Sequence, residues 1–419
     1  MLCRFRIKNY KSYRDEAVFD MQAGKIEEFS DSLIPAPCDK FSALLPVAAI
    51  YGPNSGGKSN LINGICYLIS RILVPIRTST GYNNPLSTFS VRFSPFRFDD
   101  QTCNEPTEFE IVFRTSSAQY QYELSILDDK IVEESLSYMK TPCQRRRNVV
   151  LFTRHKEEIL LGSELRKANT QQVSEKIPYL SFLNINYSFY SIDDAINWFK
   201  NCLMVDYAEI GRDHKFSSLL EDESIKPIVL QILEGMDIPV SDFEFRKEKD
   251  ADGQQRIEAF TTHTVGGRKY QLNFLDESEG TKKLFSVLPA VVVSLALGGV
   301  LIIDELDAKL HPQLLRGLLR LFTDPQKNVH RAQMIFTCHD LSIMKNDLLR
   351  RDEIWFAAQK EDNSSELWSL YDLRDENGER VKNTSAYDKQ YLAGRYGARP
   401  YLRMLLDWGV LNGEKSKKA

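Results

Sequence analysis

The stretch that most constrains this chain is Gly52-Pro53-Asn54-Ser55-Gly56-Gly57-Lys58-Ser59. It lies between the short apolar run "LLPVAAIY" and the segment "NLINGICYLISRIL". The run suits a strand buried on both faces, and the following segment has apolar residues at helical spacing. Strand, glycine-rich turn and helix in direct succession commit the chain to an α/β architecture, because such a strand must lie inside a sheet and the helix must cover it. The eight residues also match G-x-x-x-x-G-K-[ST] at every position. That spacing has a physical reason. Glycines let successive backbone N–H groups curl around phosphate oxygens, and the helix N-terminus adds the positive end of its dipole. Lys58 is placed to reach the β- and γ-phosphates of a nucleotide, and Ser59 to hold Mg²⁺. Gly52 through Ser59, with Asn60 on the next turn, are the expected nucleotide contacts. A glycine-rich turn that binds nothing is the competing reading, and the flanking strand and helix count against it.

A second apolar run, "VLIIDELD", ends in acids. Asp304 stands where a carboxylate can hold Mg²⁺, and Glu305 beside it where a general base can polarise water. An acidic strand end is common by itself and gains meaning only beside the phosphate loop. Further upstream, "FLDESEGTKKLFSVL" puts Ser278-Glu279-Gly280-Thr281 at the start of a helix. There a hydroxyl, backbone N–H groups and a dipole can meet a phosphate, although an ordinary N-cap has the same pattern. "IFTCHD" ends a buried strand at His339, whose imidazole can hydrogen-bond a γ-phosphate.

The 419 residues suggest two or three folding units. A formal net charge of −4 gives no global positive field for nucleic acid, although local basic patches are compatible with it. The seven cysteines are scattered without a C-x-x-C pair, which fits a reducing cytosol rather than a disulfide framework or zinc site. The opening "MLCRFRIKNYKSY" is charged throughout and does not read as a signal peptide. "SVLPAVVVSLALGGVLIIDELD" is the longest apolar stretch, but Pro289 and Gly298-Gly299 interrupt it. It reads as a buried helix and strand, not a membrane span. A cytoplasmic protein is expected.

Three blocks follow from the patterning. Residues 1–139 combine the phosphate loop with alternating, β-rich segments such as "TEFEIVFRTSSAQYQYELSIL". Residues 140–262 read as an inserted, mostly helical subdomain carrying the basic run Arg145-Arg146-Arg147, with no heptad repeat. Residues 263–419 return to core composition and end in a polar tail.

In this order, the phosphate loop, a long insertion, the Ser278/Gly280 signature, Asp304-Glu305, Asp307 and His339 resemble the ATP-binding-cassette (ABC) head ATPases. The branch it resembles is that of the SMC and Rad50 clamps, RecF and the ATPase half of the OLD nucleases. The resemblance implies an ABC head with a mixed P-loop sheet core, an antiparallel β subdomain and an inserted helical subdomain. It also implies ATP sandwiched between two copies of the chain. Lys58, Glu305 and His339 would be catalytic, with His339 as the switch histidine. Ser59 and Asp304 would hold the metal, and Ser278, Gly280 and Asp307 would meet the nucleotide of the second subunit. Gln101 is the candidate Q-loop residue, and Lys11 and Tyr13 are candidate contacts near the adenine.

"FRIKNYKSYRDEAVFDM", "ESEGTKKL" and "YLAGRYGARPYL" further resemble the stand-alone ATPases of bacterial antiphage operons, of the AbiL, RloA and PARIS types. That resemblance implies homo-oligomers acting with a separately encoded effector, a Toprim-like or RloB-like nuclease, and with DNA or a phage protein as trigger. About 80 residues follow His339, which is short for a fused nuclease domain. A RecF- or SMC-like DNA-binding ATPase of repair is the alternative. It would use Arg145, Arg146, Arg147, Arg154, Lys156 and the Lys282-Lys283 pair. A transporter motor, a kinase or a small GTPase fits the order of motifs less well.

Overall fold

Alternating apolar and charged residues at the N-terminus form strands with one wet face. β1 (Leu2–Lys8) buries Phe5 and Ile7 and turns Arg4, Arg6 and Lys8 outward, pairing antiparallel with β2 (Ala17–Asp20). β3 (Val47–Tyr51) is different, because all five of its residues are buried. It leads through the 52–57 loop into α1 (Lys58–Thr80), which ends where Gly81 enters the left-handed region and its N–H caps the carbonyl of Arg77. The chain then builds β4 (Thr107–Arg114), β5 (Ala118–Leu127), β6 (Lys130–Lys140), β7 (Val149–His155) and β8 (Glu158–Leu161). These join β1 and β2 in an antiparallel sheet of order β2-β1-β4-β5-β6-β7-β8. The structure is a computed structural model and describes residues 1–35, 43–81, 91–140, 148–170, 173–205, 220, 222–249, 255–374 and 378–398.

Next come α2 (Tyr179–Asn186), α3 (Tyr190–Lys200), β9 (Cys202–Val205) and α4 (Lys226–Gly235). β10 (Asp242–Lys249), β11 (Gln255–Val265) and β12 (Arg268–Asn273) form a separate three-stranded antiparallel sheet. α5 (Glu279–Leu297), β13 (Val300–Ile303), α6 (Pro312–Thr323), β14 (Gln333–Thr337), β15 (Ile354–Gln359), β16 (Ser365–Ser369) and α7 (Tyr387–Leu392) complete the described elements. The second large sheet runs β16-β15-β3-β14-β13-β9, parallel throughout except for the edge strand β16.

Strict alternation splits this parallel sheet between two cores. Ala48, Ile50, Val300, Ile302 and Ile335 pack with α1 and the antiparallel sheet, against Leu61, Ile65, Phe5 and Phe113. Val47, Ala49, Tyr51, Leu301, Ile303, Met334 and Phe336 pack on the opposite side with α5 and α6, through Leu284, Leu288, Leu315 and Leu319. The layers are therefore antiparallel sheet, α1, parallel sheet, and then α5 with α6. Burying each such aliphatic or aromatic side chain contributes about 1.5–3 kcal/mol before chain entropy is charged against it.

One expectation needs amending. The 140–262 stretch, read as a helical subdomain, carries strands as well as helices in its described residues. β7 and β8 extend the antiparallel sheet, β9 is an edge of the parallel sheet, and β10 with most of β11 begins the small sheet. "VVLFTRH" is an apolar run followed by polar residues, with a register shift against β6, and "CLMV" is a short apolar run, so periodicity decides the type of neither. The long apolar stretch is a buried helix followed by a buried strand, as expected, and Pro289 lies inside that helix. α5 runs through the proline and stops at Gly298, which has φ 66°. Among the described residues two helices, α1 and α5, are long and apolar enough to span a membrane, and both are core helices, with 61% and 67% of their most apolar stretch buried. Arg145, Arg146, Arg147 and the tail from 399 lie outside the described residues.

Candidate functional site

The phosphate loop leaves the end of β3 and is walled by β15 and β16. A Cβ at Gly52 would lie 2.0 Å from the carbonyl oxygen of Ala357, and one at Gly56 would lie 2.5 Å from the same atom. Gly57 caps α1 at φ 107°, and a Cβ there would meet Ser365 Oγ at 2.5 Å. The glycines are thus demanded by the neighbouring hairpin as well as by any phosphate. Below the loop, Tyr13 is fully buried and donates to the carbonyl of Gly57 (3.2 Å). Asn60 Nδ2 donates to Ser12 Oγ (2.7 Å), which also bonds Ser365 Oγ (2.8 Å). Tyr13 is therefore a prop beneath the loop, and Lys11 lies with its amine 5.6 Å from the centre of the Tyr10 ring. Pro53 is half-buried, and Asn54 and Ser55 are exposed at the rim.

Lys58 is 6% exposed and its Nζ donates to the carbonyls of Gly52 (2.9 Å) and Pro53 (3.0 Å). Burial pushes this amine down, and the charges of Asp304, Glu305 and Asp307 push it back up. The parallel order β3-β14-β13 explains that proximity, because it brings the ends of all three strands to one edge. At that edge Thr337 acts as a linchpin. Its hydroxyl donates to Asp304 Oδ1 (2.5 Å) and accepts from the N–H of Glu305 (2.7 Å). Asp304 is half-buried, and Glu305 is exposed with a left-handed backbone at φ 50°.

Asp307 has an intrachain role. Its Oδ2 accepts the N–H groups of His339 and Asp340, both at 2.9 Å, and so shapes the turn after β14. Its Oδ1 is buried without a hydrogen-bond partner among the described residues. The His339 side chain is exposed at this turn.

Ser278 is the N-cap of α5, and its Oγ accepts from the N–H of Thr281 (3.1 Å). Gly280 sits against the carbonyl of Lys309, which a Cβ would meet at 3.2 Å. Glu279 pairs with Lys282 (2.6 Å) and Lys309 (2.5 Å), which hold its carboxyl down to about 2. The helix start therefore abuts the segment that follows Glu305. Sequence reasoning missed Thr337, Ala357, Ser365 and Lys283 as parts of this site. Lys283 is buried, its Nζ donates to the Glu305 carbonyl (2.7 Å), and burial brings its amine down to about 8.

Gln101 is exposed on a turn where its N–H bonds Asp99. Of the basic residues noted for nucleic acid, Arg154 is buried and donates to the carbonyls of Lys156, Ser174 and Ile177, while Lys156 is exposed. Lys282 is tied to Glu279 and Lys283 faces inward.

The donor set at the strand ends suits Mg²⁺. Ser59 and Asp304 offer hard oxygen atoms, and Thr337 bonds only Oδ1 of the carboxylate. Among the described residues no cluster of three or more His, Cys, Asp or Glu forms a metal cage. Mg²⁺ needs none, because it keeps waters and takes one or two protein oxygens beside phosphate.

A parallel-containing α/β sheet with a phosphate loop at one strand end and an acidic pair at another defines a P-loop ATPase domain. The chain belongs to the family described as "AAA domain, putative AbiEii toxin, Type IV TA system", whose profile matches residues 47–345. That span runs from the first residue of β3 to just beyond the turn that carries His339. No curated protein matches the chain.

Proposed function

We propose that this chain binds and hydrolyses ATP as an ABC-type head ATPase. It works in pairs or higher oligomers of itself, and it controls a separately encoded effector in bacterial antiphage defence. The observation that carries the ATPase reading is the convergence of Lys58, Asp304 and Glu305 at one sheet edge, with Thr337 fixing both acids. In this reading the N–H groups of the 52–57 loop and the Lys58 amine bind the β- and γ-phosphates. Ser59 and Asp304 hold Mg²⁺, which neutralises phosphate charge when bound. Glu305 takes a proton from the attacking water, whose oxygen bonds to the γ-phosphorus as the bond to the β–γ bridging oxygen breaks. His339 hydrogen-bonds the γ-phosphate from the β14 end.

Ser278 is exposed at the N-terminus of α5, where a hydroxyl and a helix dipole can meet the nucleotide held by a second copy. The family's description as a toxin of a Type IV toxin–antitoxin system supports a defence setting. The resemblance to antiphage ATPases adds a Toprim-like or RloB-like nuclease as effector, DNA or a phage protein as trigger, and the cytoplasm as compartment.

Two variants test the reading together. Glu305→Gln is expected to lower kcat by about 10²–10⁴-fold while ATP stays bound and the particle seen by light scattering grows. Ser278→Arg is expected to keep ATP binding and lose hydrolysis. Wild-type turnover in Glu305→Gln would remove the base, and wild-type turnover in Ser278→Arg would remove the shared site.

A further inference from the structure

We infer that Lys283 is a positioning residue for ATP hydrolysis, holding the main chain of Glu305 and tying it to the helix that begins at Ser278. The inference rests on the ATPase reading above. Glu305 is not glycine, yet its φ is 50°. A left-handed conformation of that kind is unfavourable for a residue with a Cβ and persists only where its surroundings hold it. Two hydrogen bonds do so here, one on each side of the residue. Thr337 Oγ1 accepts its N–H at 2.7 Å, and Lys283 Nζ donates to its carbonyl at 2.7 Å. The first bond comes from β14, within the same sheet as the Glu305 strand. The second comes from α5, a separate layer above that sheet. The conformation of Glu305 therefore depends on where α5 sits.

A simple packing role accounts poorly for a lysine at this position. The next two residues, Leu284 and Phe285, are buried in the apolar core, and an aliphatic side chain there would avoid the cost of burying a charge. Lys283 is 6% exposed, as Lys58 is, and the same three acids, Asp304, Glu305 and Asp307, act on both amines. Two buried amines therefore feel the charge of the same acidic edge. Lys58 is bound to the phosphate loop, and Lys283 is bound to the main chain of the base. Charge assistance makes the Lys283 bond stronger than an amide could.

Its place on α5 gives the bond a second consequence. Lys283 lies five residues beyond Ser278, and the first turn of α5 also grips the segment after Glu305 through the Glu279–Lys309 pair. A partner's nucleotide that engages Ser278 pulls on the helix that holds Glu305. The aim of the base and the occupancy of the signature are mechanically linked within one chain.

The test uses the full-length protein with Lys283→Met and Lys283→Arg. Lys283→Met is expected to keep ATP affinity within about threefold while kcat falls about 10–100-fold, the scale of loss when a reacting group is misplaced by about 1 Å. Lys283→Arg, which keeps a charged donor, is expected to recover most of that turnover. If Lys283→Met does not fold, Lys283→Gln keeps an uncharged donor and is expected to show the same split between kcat and affinity. A folded Met or Gln variant with wild-type kcat overturns the inference alone. A wild-type protein that does not hydrolyse ATP overturns the ATPase reading and the inference with it.

Discussion

The two large sheets place their polar residues in opposite ways. In the antiparallel sheet charge runs along the strands. Arg4 pairs with Glu110 (2.6 Å), Arg6 with Glu108 and Glu110 (both 3.2 Å), and Lys8 with Glu108 (3.3 Å), all on a partly exposed face. In the parallel sheet β3, β13 and β14 are buried at every position, and the acidic and basic residues begin only where these strands stop. Lys58, Asp304, Glu305 and His339 all follow strand ends. A sheet covered on both faces has nowhere else to put chemistry, which is why ligands of open α/β sheets bind beyond the carboxyl ends of the strands. A sheet with a wet face spreads its charges thinly, and each exposed pair is worth about 1 kcal/mol or less.

The contrast can be broken at three points. Phe113 is fully buried in the antiparallel lobe, stacked on Trp198 (4.2 Å) and Tyr120 (5.3 Å). Phe113→Ala should cost about 3–5 kcal/mol in urea denaturation, yet leave the ATP affinity of the folded protein intact. A folded variant with lost affinity would show that the two sheets do not divide stability and function. Gly52→Ala should do the reverse. The clash with Ala357 implies about 1–3 kcal/mol of strain, and isothermal titration should find ATP affinity lowered about tenfold or more. Unchanged affinity would mean that the hairpin does not shape the loop. Arg6→Gln removes the ion pairs to Glu16, Glu108 and Glu110 and should shift stability by about 1 kcal/mol or less, least at high salt, with turnover untouched. A larger loss would mean that the outer ladder is structural after all.

How much the sequence disclosed follows the same division. The phosphate loop is legible because local spacing fixes it, and the Asp304-Glu305 pair is legible only because it ends an apolar run in a chain that carries that loop. The strands of the antiparallel sheet up to β6 are legible because one wet face writes a period of two into the chain. Contacts that cross the sequence are not legible. Thr337 lies 32 residues from Glu305 and Lys283 lies 22 residues away, and no spacing rule joins them. The Lys282-Lys283 dipeptide reads as a surface basic pair, but neighbours on an α-helix point about 100° apart. One lysine therefore meets Glu279 at the surface and the other turns inward to Glu305.

The props of the phosphate loop have a consequence for where this domain begins and ends. The family profile spans 47–345, yet Tyr13 and Ser12 lie before it, and Ala357 and Ser365 lie after it. Each of these four residues touches the loop, the first turn of α1 or the bonds between them. A chain trimmed to the matched span would keep every motif residue and lose the floor and the back wall of the nucleotide cradle. A piece of this protein that keeps those props therefore reaches from the first hairpin to β16, well outside the segment by which the family is recognised.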